Sequence, residues 1–225
     1  MKTIIQHFVK IKAHQVFVDA VLVYEEKDKT IPFGDFIRNV YKHLRIQYPK
    51  FYKMDNMSKL AFIAAELLKP SEASTYQNEE KGIVLMNKSS SLYTDGIHQA
   101  SIEDKTNYFP SPAVFVYTLP NIAIGELCIR HDIKGENYFL VQSSFQAKIM
   151  VSYVDSLFTK SYINQCICGW LEFNEKDYEV FFYTVEQNST NAVKVADKSI
   201  IFASVATENE HILHEVVNIE KLYKL

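Results

Sequence analysis

Cysteine is scarce in this sequence of 225 residues: only Cys128, Cys166 and Cys168 are present. An odd number of thiols with no secretory leader argues against a disulfide framework and predicts free, buried sulfurs. Long apolar runs are missing too. None approaches the ~20 residues that a membrane-spanning helix needs, so no membrane span is expected. Residues 1–10 hold neither a long apolar stretch nor a small-residue cleavage site, and the protein is expected to be soluble and cytoplasmic. An excess of charge of one sign is also absent. Lys and Arg total 24 against 27 Asp and Glu, giving a net charge of −3, and arginine occurs only as Arg38, Arg45 and Arg130. With no basic stripe to displace counterions from a phosphate backbone, no nucleic-acid partner is expected. Internal repeats and low-complexity tracts are lacking. The Ser89-Ser90-Ser91 cluster lacks the glycines of a phosphate-binding loop.

What is present is apolar bulk: 48% of the residues are hydrophobic and 13% aromatic. That suits one well-buried domain spanning 1–225. Alternation predicts a strand over 2–12, with 16–25 continuing extended or as a hairpin arm. A short helix is expected over 36–45. Over 57–69 the helix pattern is clear: Met57, Leu60, Ala61, Ala64, Leu67 and Leu68 share a face, Asp55 or Asn56 can cap it, and Pro70 stops it. A loop is expected over 70–81, then a buried parallel strand over 82–87. Residues 88–107 are polar and read mostly as loop. A helix follows over 121–131, broken by Gly135, and a strand over 138–142. Residues 145–158 form a second clear helix. Ala147, Met150, Val151, Val154, Leu157 and Phe158 make its apolar face, and Lys148, Ser152, Asp155, Ser156 and Thr159 its polar stripe. Strands over 163–173 and 178–186 are expected to pair antiparallel, with a last strand over 199–207 and a polar tail holding a few apolar residues. Strands alternating with helices indicate an α/β fold.

Several blocks, taken in order, resemble the N-terminal half of β-ketoacyl synthases. The helix from Met54 resembles the family's "R-M-S-R-L…A-x-x-A" helix. The strand from Gly82 and the serines after it resemble the second core strand and its loop. Pro110-Ser-Pro-x-x-Phe…Leu-Pro-Asn…Gly-Glu-Leu-Cys-Ile…Lys-Gly-Glu-Asn resembles the run "P-x-x-F-x-x-S-L-P-N…G-x-x-x-I…L-K-G-P-N". Cys168-Gly-Trp-Leu-Glu resembles the strand "A-G-G-x-E". The resemblance covers roughly residues 1–173. It implies a thiolase-like half: a mixed, mostly parallel sheet flanked by helices, extended by C-terminal antiparallel strands.

Counting from Gly135-Glu-Asn, the family's "V-T-A-C" falls on Val141, Gln142, Ser143 and Ser144, so a serine stands at the nucleophile position. A cysteine at a helix start gains reactivity from a lowered pKa; a serine hydroxyl stays protonated and needs a positioned base. The family's histidines and lysine lie in a C-terminal half that has no counterpart before Leu225. His211 and His214 do not stand in the family's glycine-rich settings. The resemblance therefore implies a non-catalytic partner of the chain-length-factor kind, as in aryl-polyene or flexirubin-type pathways. Such a chain would support a catalytic β-ketoacyl synthase in elongating acyl chains, with an acyl carrier protein met only indirectly. It implies pairing with that synthase, or with a second copy, through a strand of Asn137, Tyr138, Phe139, Leu140, Val141, Gln142 and Ser143. Phe145 is a candidate to floor an acyl tunnel. No cofactor is implied.

Each residue also has a plainer reading. Ser144 can cap a helix or fill space, and a catalytic serine, acting in an acyltransferase or hydrolase, is the rival. Cys128-x-x-His131 has metal-like spacing and Cys166-x-Cys168 places two sulfurs on one strand face, yet a closed zinc site needs four converging ligands. Buried thiols and an ordinary histidine fit equally well. Phe145 can simply pack in the core. Glu172, Glu175 and Asp177 read as a solvated hairpin tip, and the three arginines as surface charges that could also meet an acidic carrier.

Overall fold

The computed structural model describes residues 3–68, 76–106, 108–174, 177–187 and 212–225. The strand expected over 199–207, the Pro70 stop, His211 and Glu175 lie outside them. β1 (Thr3–Lys12), β2 (Gln15–Val18) and β3 (Val21–Glu25) form an antiparallel meander, so the expected extension over 16–25 is two strands. Both turns are tight. Asp19 and Ala20 have φ of 48° and 66°, the geometry that matches the twist of a two-residue hairpin. The Asp19 carboxylate closes its turn by accepting from the Phe8 N–H at 2.9 Å.

After α1 (Phe33–His43) and α2 (Asn56–Leu68) comes β4 (Lys81–Asn87), and later β5 (Asn137–Val141), β6 (Gln165–Phe173), β7 (Tyr178–Gln187) and β8 (Ile212–Leu213). The eight strands make one sheet in the order β3-β2-β1-β7-β6-β4-β5, with β8 beside β1. It is the mixed, helix-flanked sheet that was expected. Parallel pairing is confined to β4 with β5 and with β6, however, and the other ladders are antiparallel. The parallel share is smaller than the resemblance implied, because β1 inserts beside β7 rather than beside a parallel strand.

Both faces of the sheet are covered. On one face α1, α2 and α5 (Ile122–His131) press Ile37, Val40, Leu60, Phe62 and Leu127 onto Ile83, Leu85, Ile167 and Leu171. On the other, α6 (Ala147–Thr159) and α7 (Val216–Lys224) press Met150, Val154, Phe158, Ile219 and Leu222 onto Val84, Met86, Cys166, Cys168 and Phe181. Ile83 and Leu85 point one way and Val84 and Met86 the other, which is why β4 reads as an unbroken apolar run. Each such side chain contributes roughly 1.5–3 kcal/mol on burial.

Gly169 in β6 marks the tightest approach in the sheet. Its φ is +153°, and a Cβ there would stand 2.0 Å from the Phe181 carbonyl oxygen.

One further expectation is corrected and two gain detail. Residues 88–107 are not mostly loop, since α3 (Leu92–Glu103) occupies them and is followed by α4 (Pro112–Val116). Their sequence hides this because α3 buries only Thr94. α5 ends at His131 as expected, with Asp132, in the left-handed conformation at φ 51°, closing it ahead of Gly135. The few apolar residues of the tail build β8 and α7.

Candidate functional site

Among the described residues β5 is the last strand of the sheet and pairs only with β4, from Ile83↔Asn137 to Asn87↔Val141. The Ile83 N–H donates to the Glu136 carbonyl at 3.0 Å, and the Gln142 N–H to the Asn87 carbonyl at 2.8 Å. Residues 136, 138, 140 and 142 therefore turn their peptide groups towards β4. By alternation, Asn137, Phe139 and Val141 turn theirs outwards, away from every described strand. The strand is not dressed as an ordinary edge. It carries no charge and no proline, and its ladder has no bulge, whereas edge strands are commonly protected by such devices.

Side chains beside this edge are apolar and aromatic. Tyr138 is 40% and Val141 53% exposed. The Tyr138 ring meets Tyr153 of α6 edge-on at 4.6 Å. Burial, helped by the hydrogen bond with Tyr138, pushes the Tyr153 phenol well above its usual range. An open cleft at the start of the strand is lined by Lys134, Glu136, Asn137, Tyr138 and Tyr162. A second lies along the outer face of α6, between Lys148, Ile149, Ser152 and Tyr153. Lys148 itself is exposed.

Gln142, Ser143 and Ser144 follow the strand before α6 begins at Ala147. Ser144 is exposed, and its Oγ accepts from the Gln146 side-chain amide at 2.9 Å. The N-cap of α6 is Gln146, with no side-chain cap, so Ser144 stands ahead of the helix start. An amide cannot take up the proton that a serine nucleophile must lose. No described histidine hydrogen-bonds Ser144. His214 is fully buried, with Nδ1 3.1 Å from the Asp155 carboxylate and Nε2 3.5 Å from the Tyr183 hydroxyl. An Asp-His pair thus exists, but it binds the tail to α6 and β7 rather than facing Ser144. Phe145 turns inwards, its ring 4.8 Å from Tyr223, 5.7 Å from Phe181 and 6.4 Å from Trp170.

The other candidates are also placed. Among the described residues no three His, Cys, Asp or Glu side chains converge as metal ligands. Cys128, Cys166 and Cys168 are free thiols. Burial raises the Cys128 and Cys168 thiol pKa values and lowers that of His131 to about 4. The serine loop is already filled: Glu172 Oε2 accepts from the Lys88 and Ser89 N–H groups at 2.7 and 3.2 Å. Glu172 is therefore hydrogen-bonded and not part of a solvated tip. Arg130 is committed as well, gripping Glu66 through two hydrogen bonds of 2.7 and 3.0 Å over the Tyr48 ring. Sequence reasoning missed the helices α3 and α4. The apolar letters of Phe115, Val116 and Leu119, set among prolines, were their only signal.

No protein-family model matches the sequence, and no curated protein matches it. Solved structures do. The ishigamide ketosynthase/chain length factor superposes with a TM-score of 0.62 and 16% identity, over 86% of this chain and 64% of that one. The fold is that of ketosynthases and chain length factors. A type II polyketide synthase acyl-carrier protein in complex with its ketosynthase bound to the hexaketide gives 0.57 and 13%, over 83% and 63%. A ketosynthase in complex with its chain length factor from Xenorhabdus doucetiae gives 0.52 and 12%. The present chain thus spans 64% and 63% of the first two chains. With the Xenorhabdus chain the shares are 84% and 81%, so those two are of similar length.

Proposed function

We propose that this protein is a non-catalytic subunit that pairs through β5 with a catalytic β-ketoacyl synthase and supports acyl-chain elongation on a carrier protein. The observation that carries the reading is the open β5 edge: outward peptide groups at Asn137, Phe139 and Val141, set among apolar side chains, in a fold shared with ketosynthase and chain-length-factor complexes. A partner strand added there satisfies those groups and covers Tyr138 and Val141. The exposed setting of Ser144, with an amide as its partner, supports a supporting rather than a reacting role. The mechanism is steric, with apolar side chains at the subunit boundary limiting or guiding the growing chain. Phe145 lies behind that boundary, packed on Trp170 and Phe181. A polyene-type pigment pathway with short synthase-like chains is the setting we favour, as the sequence resemblance implies.

The test is co-expression with the β-ketoacyl synthase encoded nearest to it in its genome. Co-purification is expected, together with a change in product length when this protein is withheld. Val141→Pro removes one outward N–H while leaving the β4 ladder intact, and should abolish co-purification with the fold retained. Unchanged product length and no co-purification of the unmodified chain would sink the proposal. Ser144→Ala should leave product length and yield unaltered.

A further inference from the structure

Charge that balances over the whole chain does not balance locally. Residues 36–59 hold Arg38, Lys42, Arg45, Lys50, Lys53 and Lys59 against Asp55 alone, a formal +5 within a chain of net −3. That single acid is turned inwards. Its two carboxylate oxygens accept from the Ser58 N–H and the Thr94 hydroxyl, each at 2.8 Å. The fold then gathers the cations onto one surface. Arg38 and Lys42 stand one turn apart on the exposed side of α1, and Arg45 follows the end of that helix. A 3-10 turn, Pro49–Lys53, brings Lys50 and Lys53 against the same helix, with the Tyr41 ring stacked 4.2 Å from Phe51 and edge-on 5.4 Å from Tyr52. Lys59 of α2 joins them: burial lowers its pKa, Asp55 opposes this, and the nearby Arg38 charge lowers it further. The basic stripe that whole-chain balance argues against is therefore present on this face.

Much of this charge is unneutralised. Arg38 pairs with Asp35, and Lys50 with Glu126 at 2.7 Å, but among the described residues no acid pairs with Lys42, Arg45 or Lys53. At physiological salt, exposed charges more than ~8 Å away are largely screened, so acids elsewhere on the chain do not cancel the patch. Tyr52, 52% exposed between Lys50 and Lys53, adds an aromatic body with a polar tip, which suits a water–lipid boundary. Residue choice selects the occupant. Four of the six cations are lysines, whereas protein interfaces are enriched in arginine and depleted in lysine. An ammonium is a mobile point charge rather than a fork fitted to one carboxylate. A lysine-rich field responds to the density of negative charge, which a layer of lipid phosphates supplies. Such adsorption needs no spanning helix, and none is present among the described residues.

We propose that the face carrying Arg38, Lys42, Arg45, Lys53 and Lys59 adsorbs the protein onto anionic lipid surfaces, with Tyr52 entering the headgroup layer. This is independent of the pairing at β5. The full, unmodified chain is sedimented with vesicles of phosphatidylcholine alone and of phosphatidylcholine mixed with phosphatidylglycerol. Binding is expected only to the mixed vesicles and should be lost as salt is raised. Each surface cation contributes about fivefold in affinity, so Lys42→Gln, Arg45→Gln and Lys53→Gln together should weaken binding roughly a hundredfold, with circular dichroism unchanged. Tyr52→Ser should weaken it several-fold. Lys27→Gln, Lys148→Gln and Lys224→Gln together remove the same charge elsewhere and should leave binding nearly unchanged. Equal binding to both kinds of vesicle, no binding to either, or equal losses in the two triple variants would overturn the proposal. Displacement of the vesicles by a stoichiometric amount of acidic carrier protein or short duplex DNA would assign the face to that occupant and overturn it too.

Discussion

β4 and β5 are neighbours, hydrogen-bonded residue for residue, and both are written in apolar letters: Gly-Ile-Val-Leu-Met in one, Tyr-Phe-Leu-Val in the other. β4 is buried at all seven positions, while β5 is exposed at Asn137, Tyr138 and Val141. What separates them is not chemistry but the number of strands beside each, two against one. The far edge of the sheet makes the contrast sharper. β3 also ends the sheet, yet its ladder is bulged between Val16 and Phe17, and Glu25 closes it with a charge. One edge is finished as an edge. The other is finished as an interior strand that lacks a neighbour among the described strands, which is the argument for a partner there.

The interior side of this comparison is tested most severely at Gly169. Alanine there places a methyl group against the Phe181 carbonyl at 2.0 Å, in a strand pair that cannot part without breaking the core. Gly169→Ala is expected to cost several kcal/mol, read as loss of soluble folded protein or a collapsed urea midpoint. A near-normal midpoint would show that β6 and β7 are looser than this packing implies.

A matched pair of truncations comes next. Leu85→Ala in β4 removes a fully buried side chain and should cost about 2–5 kcal/mol. Val141→Ala on β5 should change the stability of the lone chain by no more than about 0.5 kcal/mol, yet weaken the complex measurably. Equal losses of stability in the lone chain would show that β5 is already buried and has no vacancy to fill.

These strands also explain what could be read in advance. Helix 57–69 was legible because a buried face writes a period into its sequence, and strand 82–87 because burial on both faces leaves a short unbroken apolar run, which pointed to the parallel pairing that is found. The antiparallel pair at 163–173 and 178–186 was legible as well. The place of β1 beside β7 was not, because the letters of a strand do not name its neighbour. α3 escaped because only Thr94 of its residues is buried and only Tyr93 packs its ring inwards on Phe173, while Leu92 and Ile97 are exposed, which blurs the helical period. The edge position of β5 was not readable from its letters either, since those are the letters of an interior strand. The family resemblance, rather than any pattern, pointed to it.

Behind β4 and β5, α5 carries a buried histidine that makes the interior side sensitive to pH. Burial holds the His131 pKa at about 4, against an ordinary value of 6.5. The unfolded chain therefore takes up a proton below pH 6.5 that the folded chain refuses until about pH 4. The fold should lose stability through that window as pH falls, by up to roughly 3 kcal/mol from this group. Urea titrations at pH 7 and pH 4.5 would measure it. His131→Gln should flatten that part of the slope, and an unchanged slope would assign it to other groups.

The smallest effect concerns the finished edge. Ala20 holds φ at 66° in the turn between β2 and β3, where an alanine methyl group costs roughly 1 kcal/mol that glycine does not. Part of the relief is lost again because glycine frees the unfolded chain. Ala20→Gly should therefore stabilise the protein by about 0.5 kcal/mol, visible as a higher urea midpoint with an unchanged slope. Asp19 should not be altered with it, since its carboxylate holds both the Phe8 N–H and the His7 ring. Affinity for the synthase is the decisive readout. If β3 is a finished edge, tightening its turn leaves that affinity where it was. If affinity shifts with the turn, the β3 edge also meets the partner, and the contrast between the two ends of the sheet breaks down.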